Sequence, residues 1–112
     1  MVRSADARRW LGVFRHRLRG LPTRHLLVLQ HDLVAGRSCI VAPVVQDTAI
    51  PEALLTPRLL VEGADCRAIL LDMTSVPLTV LGPPVDAEVD EDAIAAALDA
   101  IFRGYPVGLP SA

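Results

Sequence analysis

Short apolar runs punctuated by Gly and Pro dominate the chain up to its last quarter, where a helical period takes over. Residues 24–31 (Arg-His-Leu-Leu-Val-Leu-Gln-His) and 38–45 (Ser-Cys-Ile-Val-Ala-Pro-Val-Val) are rich in branched side chains and bounded by Gly and Pro, the pattern of largely buried strands. Residues 10–17 predict a first strand, joined to the second by a turn at Gly20-Leu21-Pro22. Residues 58–62 and 66–72 flank Gly63-Ala64-Asp65, a Gly-containing three-residue loop of the kind that closes an antiparallel hairpin. Pro51 and Pro57 mark a connection with at most one helical turn over residues 51–55.

The helix is predicted over about residues 90–103. Ile94, Ala97, Leu98, Ile101 and Phe102 recur at helical spacing and fall on one face. Asp90, Glu91 and Asp92 stand at its start, where a carboxylate caps free N–H groups and complements the dipole. Gly104 lies where a C′ glycine belongs, and Pro106 stops continuation. The expected architecture is a mainly β body with one C-terminal α-helix.

Composition bounds this picture. A chain of 112 residues with 52% hydrophobic letters makes one domain, because chains divide only well beyond this length. Thirteen acids against eleven bases give a formal charge of −2, but the positions are polarised. Every base is arginine, seven of them between Arg3 and Arg24, whereas Asp86, Glu88, Asp90, Glu91, Asp92 and Asp99 cluster near the other end. No apolar run reaches the roughly 20 residues of a membrane span, since residues 68–85 are cut by Asp72, Pro77, Pro83 and Pro84. The apolar stretch 10–14 is shorter than the roughly 7–15 residues of a signal-peptide core. A cytoplasmic protein is expected. Cys39 and Cys66 are too few for a disulfide framework and read as buried thiols.

The inventory for catalysis is thin. On a strand, His25 and His31 would share a face about 20 Å apart, too far for one metal. Asp72-Met73-Thr74-Ser75 has no nucleophile-elbow context and reads as a backbone-shaping turn. There is no Gly-rich phosphate loop. Arginine clustering raises nucleic-acid binding, but the sequence pI of 5.8 and the absence of an aromatic recognition pattern argue against it. Protein binding fits better. Phe102-Arg103-Gly104-Tyr105-Pro106 puts an aromatic and a charge just off the helix end, and such residues commonly anchor interfaces.

Asp72-Met-Thr-Ser-Val-Pro-Leu-Thr-Val-Leu-Gly82 resembles the Asp-Met-x-Ser-Val-Pro-x-x-Val-x-Gly segment of the CcdB family, toxins of plasmid toxin–antitoxin modules. The likeness runs back to Pro57. Upstream, residues 24–34 with Gln30 and Asp32 resemble the family's second strand and apolar loop, followed by a Gly36-Arg37 turn. Downstream, Ile94, Ala97, Leu98, Phe102 and Gly104 fit its terminal helix. Residues 1–9 and 106–112 have no counterpart.

The resemblance implies a small antiparallel SH3-like barrel with a C-terminal helix, assembled as a homodimer and without enzymatic activity, cofactor or metal. Family members bind the A subunit of DNA gyrase, trap its cleavage complex, and are neutralised by a partly disordered antitoxin. The implied partners are a second copy, a cognate antitoxin and gyrase, with no direct nucleic-acid or membrane contact. The family's poisoning contact is a Trp-Gly-Ile end, matched here by Arg103, Gly104 and Tyr105. Asp99 stands where the family has asparagine, and Leu33 and Val34 match its apolar loop. Loss of a central aromatic anchor commonly costs ≥2 kcal/mol, roughly 30-fold in affinity, although arginine also stacks. The departures leave an alternative: the same fold without gyrase inhibition, binding another protein or only its antitoxin. Similar barrels also occur in toxins that cut messenger RNA, but the sequence offers no acid–base set for that chemistry.

Overall fold

A computed structural model describes residues 2–3, 10–17, 25–31, 36–46 and 49–104. Among these, strands β1 (Val2–Arg3), β2 (Val13–His16), β3 (His25–Val28), β4 (Ser38–Val45), β5 (Arg58–Val61), β6 (Ala64–Ala68), β7 (Thr74–Pro77), β8 (Leu81–Val85) and β9 (Ala87–Val89) precede one helix, α1 (Glu91–Arg103). All pairings are antiparallel. The sheet runs β1-β9-β5-β6-β4-β3-β2-β8, with β7 alongside β4. Since β8 passes through Asp86 directly into β9, the chain itself crosses from one end of this path to near the other. The result is a nearly closed, barrel-like sheet with a C-terminal helix.

The long strand β4 organises the barrel. One edge pairs with β3; the other is shared, with Ser38–Val41 on β7 and Val44–Val45 on β6. Alternation sends Cys39 and Val41 into a small cluster with Phe14, Leu26, Val28 and Val76. Ala42 and Val44 enter the main core with Val13, Leu27, Leu59, Val61, Ala68, Leu70 and Val89. The first half of β4 thus buries one face and the second half the other, with Ile40 left exposed; such a strand still reads as a nearly continuous apolar run, so the predicted bounds 38–45 match those observed.

Other elements differ from expectation for local reasons. The predicted strand 10–17 shrinks to β2, because Trp10 and Leu11 form a turn with Leu11 at φ 58°. The buried Leu11 still donates its N–H to Val28 O at 2.9 Å. The strand predicted over 24–31 spans His25–Val28, while Arg24 and the turn at 20–22 lie outside the described residues. The hairpin loop is Glu62-Gly63 alone, both residues left-handed at φ 51° and 79°, as a type I′ turn requires. Ala64 and Asp65 therefore already pair in β6, and Leu70–Asp72 is a single 3₁₀ turn.

The connection over 51–55 holds no helical turn. Ala53 and Thr56 instead exchange backbone hydrogen bonds of 3.3 and 3.1 Å, and Thr56 Oγ1 donates to Pro51 O at 2.9 Å. Thr74 and Ser75 lie in β7, not in the expected turn. β8 carries Pro83 and Pro84, which is tolerated because an edge strand needs no outward N–H donors. Its Gly82 lets it lie close against β2, since a Cβ there would sit 2.7 Å from Arg15 O.

α1 matches the predicted span. Asp90 caps it by accepting from Asp92 N at 3.0 Å and Ala93 N at 3.2 Å. Gly104 ends it at φ 84°, donating its N–H to Ala100 O. Ile94 and Ala97 are buried in the main core, with Leu98 and Ile101 packed on it. Cys39 and Cys66 are buried thiols that form no disulfide among the described residues. Burial holds the Cys66 thiol above its ordinary value, assisted by the charge of Asp65.

Candidate functional site

The two ends of the main core are closed differently. Val13 and Arg15 alternate onto one face of β2, as Leu27 and His25 do on β3, and Arg15 pairs with His25 across the ladder. Glu62 reaches this polar end from the β5–β6 turn, placing Oε1 3.4 Å from Arg15 Nη2 and 3.8 Å from His25 Nε2. Its own N–H donates to Asp86 O at 2.7 Å. β9 starts beside this turn, with Ala87 opposite Val61, and leads away past Val89 opposite Leu59. α1 begins just beyond the end of β9 that leads away from this turn.

The outer surface of α1 is the candidate target face. Asp99 and Arg103 stand one turn apart, with Oδ1 and Nη1 separated by 3.8 Å, and the arginine is half exposed. Gly104 is exposed at the helix end. The structure thus brings Asp99, Arg103 and Gly104 together, whereas Leu33, Val34 and Tyr105 lie outside the described residues. The flanks of residues 32–35 are anchored: Gln30 Oε1 accepts from Ile40 N at 3.2 Å, and Trp10 and His31 rings lie 5.0 Å apart.

Phe102 overturns its sequence assignment to the buried stripe, being 71% exposed. At about 100° per residue, Ile94, Ala97, Leu98 and Ile101 cluster within roughly 60° of Ile94, while Phe102 falls about 80° to one side, near the exposed Ala95. It was spacing, not angular position, that suggested burial. An exposed phenylalanine on a helix end is a ready anchor for a protein partner. Leu71, in the 3₁₀ turn that packs against α1, is also exposed, at 66%.

Among the described residues no group of His, Cys, Asp and Glu could hold a metal ion, and no helix is long and apolar enough to cross a membrane. The most developed ionic arrangement lies on the hairpin. Asp65 Oδ1 accepts from Arg67 Nη1 at 2.7 Å and from Arg58 Nε at 2.9 Å. Arg67, foremost, and Arg58 hold this carboxyl below its ordinary range. Arg67 also donates to Ile50 O and Cys66 O, fixing the hairpin to the preceding connection.

The family described as CcdB protein matches residues 12–104, spanning the barrel from β2 to the glycine that ends α1. No curated protein matches the chain.

Proposed function

The chain belongs to the CcdB family, and from that premise we propose that it is a toxin–antitoxin toxin that inhibits DNA gyrase by binding its A subunit and trapping the cleavage complex. It acts in the cytoplasm as a homodimer, without chemistry of its own, and is neutralised by a cognate antitoxin. The observation that carries this reading is the family match reaching the helix end, where Gly104 is kept and an aromatic, Phe102, stands exposed. Arg103, Gly104, Tyr105 and Asp99 form the helix side of the target face, with Leu33 and Val34 as the loop side.

A second reading is favoured by one feature: the position of the family's tryptophan holds Arg103, ion-paired to Asp99. On that reading the same fold binds a different protein, or only its antitoxin. A supercoiling assay with purified gyrase separates the two. Inhibition at micromolar protein supports the first, and unimpaired supercoiling excludes it. If supercoiling is unimpaired, Arg103→Trp asks whether that position accounts for the difference, and recovered inhibition would show that it does.

A further inference from the structure

The polar end of the barrel plays no part in the proposed target face, yet it places a titratable imidazole against a carboxylate that joins two separate parts of the sheet. We propose that His25, Glu62 and Arg15 form an acid-tightened latch, closing the β5–β6 turn onto β2 and β3 more firmly when His25 is protonated. This is a property of the barrel itself and does not depend on which protein the helix end binds.

The geometry supplies each part. Glu62 occupies the first position of a two-residue turn at φ 51°, a left-handed conformation unfavourable for a residue with a Cβ, so the turn benefits from contacts outside the hairpin. It has them: its N–H on Asp86 O, and its carboxylate between Arg15 and His25. Arg15 is a permanent cation on a half-exposed side chain. His25 Nε2 is hidden from solvent, so a charge placed there is screened less than one on an open surface.

The groups that face His25 include Arg15 from β2, Glu62 from the turn and, from β4, the uncharged Val44 opposite it. Asp86 joins the cluster through its carbonyl, which holds the Glu62 N–H. With a neutral imidazole, Glu62 faces one cation; with an imidazolium, two converge on Oε1. The sign follows. Burial of Nε2 and the neighbouring Arg15 cation oppose the imidazolium and the Glu62 carboxylate favours it, so the stability that Glu62 adds through His25 is present on the acid side and lost as pH rises through the imidazole's titration, within the range of about pH 5 to 8 where imidazoles change charge.

The test compares thermal unfolding of the wild-type protein, Glu62→Gln, His25→Gln and the double variant at pH 5.5 and 8.0, with an NMR titration of the His25 imidazole. The expected result is that the Tm advantage of wild type over Glu62→Gln is larger at pH 5.5 by on the order of 3 °C, and that this increment vanishes in the His25→Gln background. The imidazole should also titrate at lower pH in Glu62→Gln. A Tm difference independent of pH, or an unchanged titration, overturns the latch. Should His25→Gln fail to fold, Glu62→Gln and the titration decide alone, because Glu62 is half exposed and its isosteric change leaves the core intact.

Discussion

The helix end and the polar end of the barrel are closed by different physics. Ile94, Ala97, Leu98 and Ile101 seal the first against the main core, and burial of apolar surface, at about 25 cal/mol per Å², responds little to salt or to pH. Arg15, His25 and Glu62 close the second through partly exposed charges, an arrangement typically worth about 0–1 kcal/mol and sensitive to both. The difference suggests a division of labour. The apolar seal holds α1 against the core and leaves Phe102 and Arg103 exposed at its end, as the proposed target face requires. The ionic end is where the barrel can respond to its surroundings.

The largest predicted effect tests that contrast directly. Ile94→Ala should lower unfolding free energy by about 2–5 kcal/mol in urea titrations, from lost burial and the cavity left behind, whereas Glu62→Gln at pH 8 should cost no more than about 1 kcal/mol. Equal losses would show that the two ends are not closed differently. Next in size is Gly82→Ala, in the strand beside the polar end. Its Cβ would meet backbone, Arg15 O at 2.7 Å, and β8 must move away from β2 at a cost of about 1–3 kcal/mol. Chemical denaturation of this variant, with amide exchange across β2, reads that separation.

The parts of the fold visible in sequence were those whose local signals agree with their tertiary setting. β4 buries one face along its first half and the other along its second and is bounded by polar or turn residues, and α1 carries an Asp90 cap and a Gly104 stop that the structure uses as capping chemistry dictates. β1, with two residues, and β9, with three, are too short to show a period. β8 was hidden by Pro83 and Pro84, which usually argue against a strand and are permitted here by its edge position. At the target face, Asp99 and Arg103 were reached through the family resemblance, and their one-turn spacing makes the observed pair natural. Phe102 was missed because the sequence spacing of a stripe does not report its angular edge. The polar cluster could not be read at all: Arg15 and His25 meet only through the β2–β3 register, and Glu62 only through the hairpin turn.

A smaller effect is expected from the second ionic group, on the hairpin that carries Glu62. Arg67 and then Arg58 lower the Asp65 pKa in the folded protein, so Asp65 contributes stability above its unfolded value of about 3.9, and that contribution is lost as pH falls through the lower folded value. Asp65→Asn should therefore be less stable than wild type at pH 7, with the two melting curves converging as pH falls below the ordinary carboxylate range. A Tm difference that stays constant over this range would assign the loss to hydrogen-bond geometry rather than to charge.

The smallest effect on stability is expected where the effect on binding is greatest. Phe102 is mostly exposed while its neighbours Leu98 and Ile101 pack on the core, so Phe102→Ala should change unfolding free energy by no more than about 0.5 kcal/mol. If the ring is the aromatic anchor of the target face, the same change should weaken binding to gyrase or to the alternative protein target by roughly 30-fold. Ile101→Ala should do the reverse, losing stability by removing packing from the core. Denaturation and binding measurements on this adjacent pair then divide the two sides of α1: one seals the barrel, and the other meets the partner. Stability loss at Phe102 without a change in binding would place the anchor elsewhere.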